Sequence, residues 1–373
     1  MRRRFPSGAF GRPGASDMTG SAGRQQQRPP ATADDVLELV DSPVEGAALG
    51  AALELGLFWL LEPRPLEAGA VGSALGVPAG RCERWLDLLA RAGLVERWPS
   101  GWAPTAAART AILANYGRET WALLAEEARE RLAAVVDLPA RLRALAPPAP
   151  APGGAGPTST LPYVARMARD PDRARRFTRM LAEIHRPLAA LLAARLDLAG
   201  VGRLMDLGGG SGVVSIALAR RWPDLAVTVV DVPTVCAVGR EIVAEHGLGD
   251  RIGFWPADFA CDPLPAGFDA VLECDVNVYD EALLAKVRAS LDRGGRLLVV
   301  DALDPDAGSA ARLRWAFLAS LLDAADVPAT PGSVVDGVRA AGFAVVASGP
   351  LPSLPRAAGE IGDGGLWLIE ARA

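Results

Sequence analysis

The 373-residue sequence has little of what builds metal and redox centres. It contains two histidines, His185 and His246, which excludes a histidine-rich metal site. Its four cysteines (Cys82, Cys236, Cys261 and Cys274) form no C-x-x-C pair, and their spacing fits neither zinc nor a disulfide framework. No metal is expected, and a reduced, cytoplasmic setting is. No apolar run reaches the roughly 18–20 residues of a membrane span, so no membrane partner is expected either. Arg2, Arg3 and Arg4 are not followed by an apolar stretch, so the start is not a secretory signal. Basic charge is short as well. The net charge of −5 provides no pull toward nucleic acid or an anionic surface.

What is present is the balance of a globular protein: 50% hydrophobic and 22% charged residues, in a length that suggests two domains. Residues 1–33 are rich in Gly, Ser, Gln, Arg and Pro and read as a disordered tail. Residues 34–145 read as helical. Apolar patterns over Val44–Leu61, Leu66–Leu75 and Arg81–Ala92 precede a hairpin, Leu94–Trp98 and Trp102 around Pro99-Ser100-Gly101. Three helices and a hairpin is a winged-helix order. From Asp34 to Asn115 there are 11 acidic and 6 basic residues, the wrong balance for DNA. The better use is dimerisation, with apolar Leu53–Leu61 buried across a two-fold axis. A long helical stretch over Arg118–Leu145 and a Pro/Gly/Ala-rich linker over 146–160 follow.

Residues 161–373 read as a second domain. Pro162–Ala194 is helical. Beyond Gly200, apolar runs at Arg203–Leu207, Ala226–Val230, Ile252–Pro256, Ala270–Leu272, Arg296–Val300 and Ala344–Ala347 alternate with helical patterns. That alternation indicates an α/β domain with a parallel, doubly wound sheet.

The sharpest motif is Asp206-Leu207-Gly208-Gly209-Gly210-Ser211-Gly212, between the first strand and a helix. Glycines let a backbone turn tightly and approach a ligand without a Cβ in the way. A dinucleotide fingerprint, G-x-G-x-x-G, fits poorly: counted from Gly208 its last position is Val213, and from Gly210 it is Ser215. The pattern is acidic-x-G-x-G-x-G and resembles motif I of S-adenosylmethionine (SAM)-dependent methyltransferases. In that reading Asp206 meets the methionyl amino group, and Gly208, Gly210 and Gly212 cradle the methionyl and ribose parts. Asp231 closes the next strand, where a carboxylate accepts both ribose hydroxyls. Asp258, after the third strand, receives the adenine amino group, with Phe259 on the ring. Glu273, near the same sheet edge, joins this set.

With these motifs, the chain from Asp34 to Ala373 resembles the two-domain family of caffeic-acid-type O-methyltransferases, whose bacterial members modify polyketides and other secondary metabolites. The resemblance rests on the N-terminal order, the Phe177–His185 helix, motif I, the Asp231-Val232-Pro233 turn, Gly294–Asp301 and Ala340-Ala341-Gly342-Phe343. It implies a Rossmann-like SAM-binding domain, a winged-helix dimerisation domain, a homodimer, SAM as cofactor, and a contact at Val232.

One departure matters. The family carries a catalytic histidine in an H-D-W-x-D-E segment, where it takes the proton of a substrate hydroxyl. Here the segment is Cys274-Asp275-Val276-Asn277-Val278-Tyr279-Asp280-Glu281. Val276, or Asn277 with a one-residue gap, stands at the histidine's place, and neither is a base. Candidates to assist are Asp275, Asn277 and His185, the last where the family often has a serine beside the cofactor. Tyr279 and Asp301 are candidate substrate contacts. A substrate wall is expected from Arg314, Trp315, Phe317 and Leu318, suited to a flat apolar small molecule. Two functions follow. One is methylation of O, N or C of a small aromatic or polyketide-like metabolite, by orientation without the usual histidine. The other is a SAM-binding hydroxylase, decarboxylase or cyclase that no longer transfers methyl.

Overall fold

A computed structural model describes residues 31–132, 135–136, 138–143, 163–303, 317, 329–352 and 366–373. The chain divides into two compact units, Met1–Val44 and Glu45–Ala373. In the first, α1 (Ala33–Asp41) opens with a capping box: Thr32 Oγ1 accepts from the Asp35 amide, and the Asp35 carboxylate accepts from the Thr32 amide.

Helix α2 (Pro43–Leu55) leads into the second unit, followed by α3 (Leu57–Leu61), α4 (Ala68–Leu75) and α5 (Ala79–Arg91). The single helix expected over 44–61 is broken at Gly56, whose φ of +77° is left-handed. The antiparallel hairpin β1 (Val95–Trp98) and β2 (Gly101–Pro104) follows, and Leu66 bridges to Trp102. A correction concerns Leu53–Leu61. Leu53, Leu57, Phe58 and Leu61 pack inside this chain's own core with Val71, Leu86, Leu89 and Trp102. They are not free to form a subunit interface.

Next come α6 (Ala106–Ala108), a π-helical turn (Arg109–Leu113), α7 (Arg118–Leu132), α8 (Leu138–Arg143), α9 (Tyr163–Arg169), α10 (Pro171–Ile184) and α11 (Arg186–Arg195). The helical stretch expected over 162–194 is thus three helices. Asp170 caps α10 ahead of Pro171, and Pro187 sits in the first turn of α11, so each proline lies where its missing N–H costs nothing.

The sheet strands are β3 (Arg203–Leu207), β4 (Ala226–Asp231), β5 (Ile252–Pro256), β6 (Phe268–Cys274), β7 (Leu291–Asp301), β8 (Ala344–Pro350) and β9 (Trp367–Arg372). The helices among them are α12 (Val213–Arg221), α13 (Pro233–Glu245), α14 (Glu281–Ser290) and α15 (Pro331–Ala340). Sheet order is β5-β4-β3-β6-β7-β9-β8. Sequence patterning finds six of these strands and misses β9, which inserts antiparallel between β7 and β8. Its WLIEAR sequence ends in charge, and Glu370 is neutralised only on folding, by Arg296 of β7 at 3.0 Å.

Strand alternation divides the core in two. Leu204, Val229, Ala270 and Leu272 face one side with Leu191, Leu218 and Ile242 of the helices. Met205, Leu207, Val271 and Val299 face the other with Leu284 and Val338.

A buried ion cluster joins α7 to α10. The Arg173 guanidinium donates to Glu127 at 2.6 Å and to Glu130 at 2.7 and 2.8 Å. Hydrogen bonding to Glu130 raises the Arg173 pKa, against the opposing effect of burial. Glu127 also pairs with Arg166 at 3.7 Å, so losing Arg173 weakens the cluster without emptying it, at about 1.5–3 kcal/mol for hydrogen bonds to charged groups. Arg173→Met is therefore expected to lower unfolding stability by that amount. Arg173→Lys, which keeps the charge, should lose less. Denaturant midpoints for the two variants check this; an Arg173→Met variant as stable as the parent contradicts it.

Candidate active site

Strand β3 pairs in parallel with both β4 and β6, so Leu207 lies beside Val230 on one side and Glu273 on the other. The loops leaving these strand ends share one sheet edge, where open parallel sheets bind ligands. Gly208, Gly210 and Gly212 of the β3–α12 loop have φ of +69°, +55° and +74°. The alternate spacing of the motif is the spacing of the left-handed residues. Gly209 is required for another reason: a Cβ there would sit 2.5 Å from the Asp206 carboxyl carbon.

That contact corrects the reading of Asp206. Its buried carboxyl lies beneath the loop, and Oδ2 accepts from Ser215 Oγ at 2.5 Å. Burial raises its pKa to about 6. It is 1% exposed and braces the loop through Oδ2. Ser215 itself was not singled out from sequence. The signal was there: a lone hydroxyl on the buried side of the apolar run Val213-Val214-Ser215-Ile216-Ala217.

Asp231 ends β4. Its Oδ2 accepts from the Gly210 amide at 3.0 Å and its Oδ1 from the Val232 amide at 2.7 Å. A carboxylate has roughly four acceptor positions, so acceptor capacity remains. Burial raises its pKa to about 6, against the two amides. Val232 is buried with Met167, Ala174 and Val235, so its side chain serves packing. Asp258, half-buried after β5, accepts from the Ala260 amide at 3.1 Å. Phe259 and Val276 stand on the glycine loop: Phe259 Cε1 and Val276 Cγ2 lie 3.7 and 3.1 Å from where a Cβ of Gly208 would be. Val276, at the family histidine's place, is thus an apolar neighbour of the loop.

Glu273 needs correction too. It is 0% exposed and, by strand alternation, turned to the face of Val271 and Val299. Among the described residues neither carboxyl oxygen has a hydrogen-bond partner. Burial, with Asp301 and Asp280 nearby, pushes its pKa up to about 8. It presents nothing to a cofactor.

The β6–α14 loop is held in an uncommon shape. Asp275 and Asn277 have φ of +57° and +59°, a region that Asp and Asn tolerate better than most residues. Asp301 anchors the loop, accepting from the Tyr279 hydroxyl, the Asn277 amide at 3.3 Å and the Ala302 amide at 2.7 Å. Burial raises the Asp301 pKa, and burial with the Asp301 charge raises that of Tyr279. Tyr279 and Asp301, expected at substrate, are bonded to each other instead, because the loop needs an acceptor at its turn.

The three catalytic candidates meet. Asn277 Nδ2 donates to Asp275 Oδ1 at 3.3 Å, and Asp275 Oδ2 lies 3.6 Å from His185 Nε2. His185 occupies the junction of α10 and α11, at φ −90° and ψ 4°. Burial lowers its pKa and raises that of Asp275. His246, at the end of α13, is exposed. Arg314, Trp315 and Leu318 lie outside the described residues; Phe317 is 41% exposed.

These residues fit a sulfonium nucleoside: a loop of four glycines and one serine, a carboxylate with free acceptor positions beside it, and an aromatic ring on it. Comparison with known proteins agrees. An O-methyltransferase domain model matches residues 157–322. The chain is 34% identical over 278 residues to a 3-hydroxy-5-methyl-1-naphthoate 3-O-methyltransferase of Streptomyces sahachiroi, spanning 69% of this chain and 74% of that one. It is 29% identical over 284 residues to the N,N-dimethyltransferase OxyT of Streptomyces rimosus, spanning 74% and 80%. Its fold matches human N-acetylserotonin methyltransferase in complex with SAM, with a TM-score of 0.68, 22% identity, and 95% and 99% of the two chains covered.

Fold, glycine loop and relatives define a SAM-dependent methyltransferase of small molecules. The chain belongs to the O-methyltransferase family.

Proposed function

We propose that the enzyme methylates a phenolic hydroxyl on a flat aromatic or polyketide-like metabolite. The observation that carries the cofactor half is the Asp231 carboxylate bonded to the Gly210 amide within the left-handed glycine loop. Asp231 holds the ribose hydroxyls, the glycine loop, whose own glycine amides are bonded within the chain, gives the methionyl end close approach to the backbone, and Asp258 with Phe259 holds the adenine. The acceptor class follows from the naphthoate-methylating relative.

When bound, SAM supplies a methyl group on a positively charged sulfur. The protein's task is to fix the acceptor oxygen in line with that methyl. Holding reactants in such geometry is worth up to about 7–11 kcal/mol. Val276 and Phe259 form an apolar border on the loop that excludes water from it.

The test is calorimetry with SAM and S-adenosylhomocysteine, followed by incubation with a hydroxynaphthoate. The expected result is binding of both nucleosides, and S-adenosylhomocysteine formed one-to-one with an O-methyl product. Binding without that product would favour an enzyme that keeps SAM and does other chemistry.

A further inference from the structure

We infer that His185, paired with Asp275, is the general base that replaces the missing motif histidine. The inference rests on the methyltransferase reading above and adds the proton's destination.

Sequence places these residues on unrelated segments; folding brings them together. His185 comes from the α10–α11 junction, and α11 packs on α12, the helix that the glycine loop opens. Asp275 follows β6 directly, and Val276 beside it touches the glycine loop. The pair therefore stands at the sheet edge where the methyl must be presented. Both side chains keep solvent access, 26% for His185 and 50% for Asp275.

The arrangement is that of an oriented base. Asn277 steadies one oxygen of Asp275 at 3.3 Å, and the other oxygen faces His185 Nε2 at 3.6 Å. That gap is slightly longer than a hydrogen bond, and catalytic hydrogen bonds often tighten only in the loaded enzyme. Among the described residues no hydrogen bond engages Nδ1, which leaves it free to accept a proton. The left-handed backbone at Asp275 and Asn277 is an uncommon conformation, and the anchor at Asp301 maintains it. Two charges of α10 are engaged elsewhere, and Arg186, next in the chain, is exposed. Glu183 accepts from the Gly117 amide and Thr120, and Arg179 is paired with Glu241 and Glu245 of α13.

In the step, the acceptor hydroxyl proton passes to Nδ1 while an oxygen lone pair forms the new bond to the methyl carbon. The carbon–sulfur pair stays on sulfur, giving a neutral thioether. Asp275 stabilises the imidazolium until the proton leaves to solvent.

With two histidines, the proton NMR spectrum of the full-length chain carries two imidazole C2 signals, which His246→Gln assigns. Titrated with S-adenosylhomocysteine bound, Asp275→Asn should shift the His185 midpoint to lower pH and leave that of His246 in place. A His185 midpoint indifferent to Asp275→Asn overturns the pairing. With a hydroxynaphthoate acceptor, His185→Gln should lower kcat about 10²–10⁴-fold. Calorimetric affinity for SAM should be unchanged, and the loss should shrink for acceptors already ionised at the assay pH. Wild-type kcat and pH profile in His185→Gln overturn the base. Failure of the parent protein to bind SAM would instead sink the underlying reading.

Discussion

Replacing Asp231 with alanine lowers the affinity for SAM by about 100-fold or more. The carboxylate is expected to accept from both ribose hydroxyls. Hydrogen bonds to a charged group are worth about 1.5–3 kcal/mol each, and 1.4 kcal/mol is tenfold in affinity. The variant also loses the acceptor for the Gly210 amide, so the loop is loosened at its left-handed centre. Asp231→Asn keeps the shape and loses the charge, and should fall between parent and alanine. Asp258→Asn should cost less, since Asp258 is half-buried and spends one oxygen on the Ala260 amide. Acid has the same effect as the asparagine. With its pKa raised to about 6, Asp231 in the free protein takes up a proton as pH falls through that value, and an acceptor is lost. Affinity should therefore hold above pH 7 and decline below 6. Calorimetry at pH 5.5 and 8 with the three variants measures all of this, and an Asp231→Ala affinity equal to the parent's would remove the basis for the cofactor site.

The glycine loop and the strand ends beside it were legible because they are local. Glycines at alternate positions, a carboxylate at the end of each of two strands, and the strand–helix rhythm are all properties of short segments. The same locality explains what was missed. Asp206 and Asp231 are both acids beside the loop and on the same sheet face, but Ser215 of α12 takes the first and the Gly210 and Val232 amides take the second, partners that only the fold supplies. Tyr279 and Asp301 look like two substrate contacts until β7 is laid beside β6; then each is the other's partner. The pairing of His185 with Asp275 depends on how α10 and α11 cross the sheet edge, which no spacing encodes.

Glu273 shows the same limit most sharply and yields the second large expectation. An acid at the end of β6 reads as a ligand contact, yet the pleat turns it into the core, with both oxygens unpartnered among the described residues. Its pKa rises from 4.5 to about 8, so between those values the folded chain holds a proton that the unfolded chain releases. The resulting stabilisation is complete below about pH 4.5 and is lost as pH climbs through 8. At about 1.4 kcal/mol per pKa unit, the loss amounts to several kcal/mol. Glu273→Met has similar volume and nothing to ionise. It also removes an unsatisfied polar group, worth about 1–3 kcal/mol even when neutral. The variant should exceed the parent in stability at pH 5 by that smaller amount and at pH 9 by several kcal/mol. Its affinity for SAM should stay at the parent value, because the side chain is 0% exposed. Denaturant melts at the two pH values, with calorimetry at pH 7.5, decide the matter. Parallel stability curves would mean that Glu273 has a partner when folded. A large drop in SAM affinity would mean that the carboxyl reaches the cofactor after all.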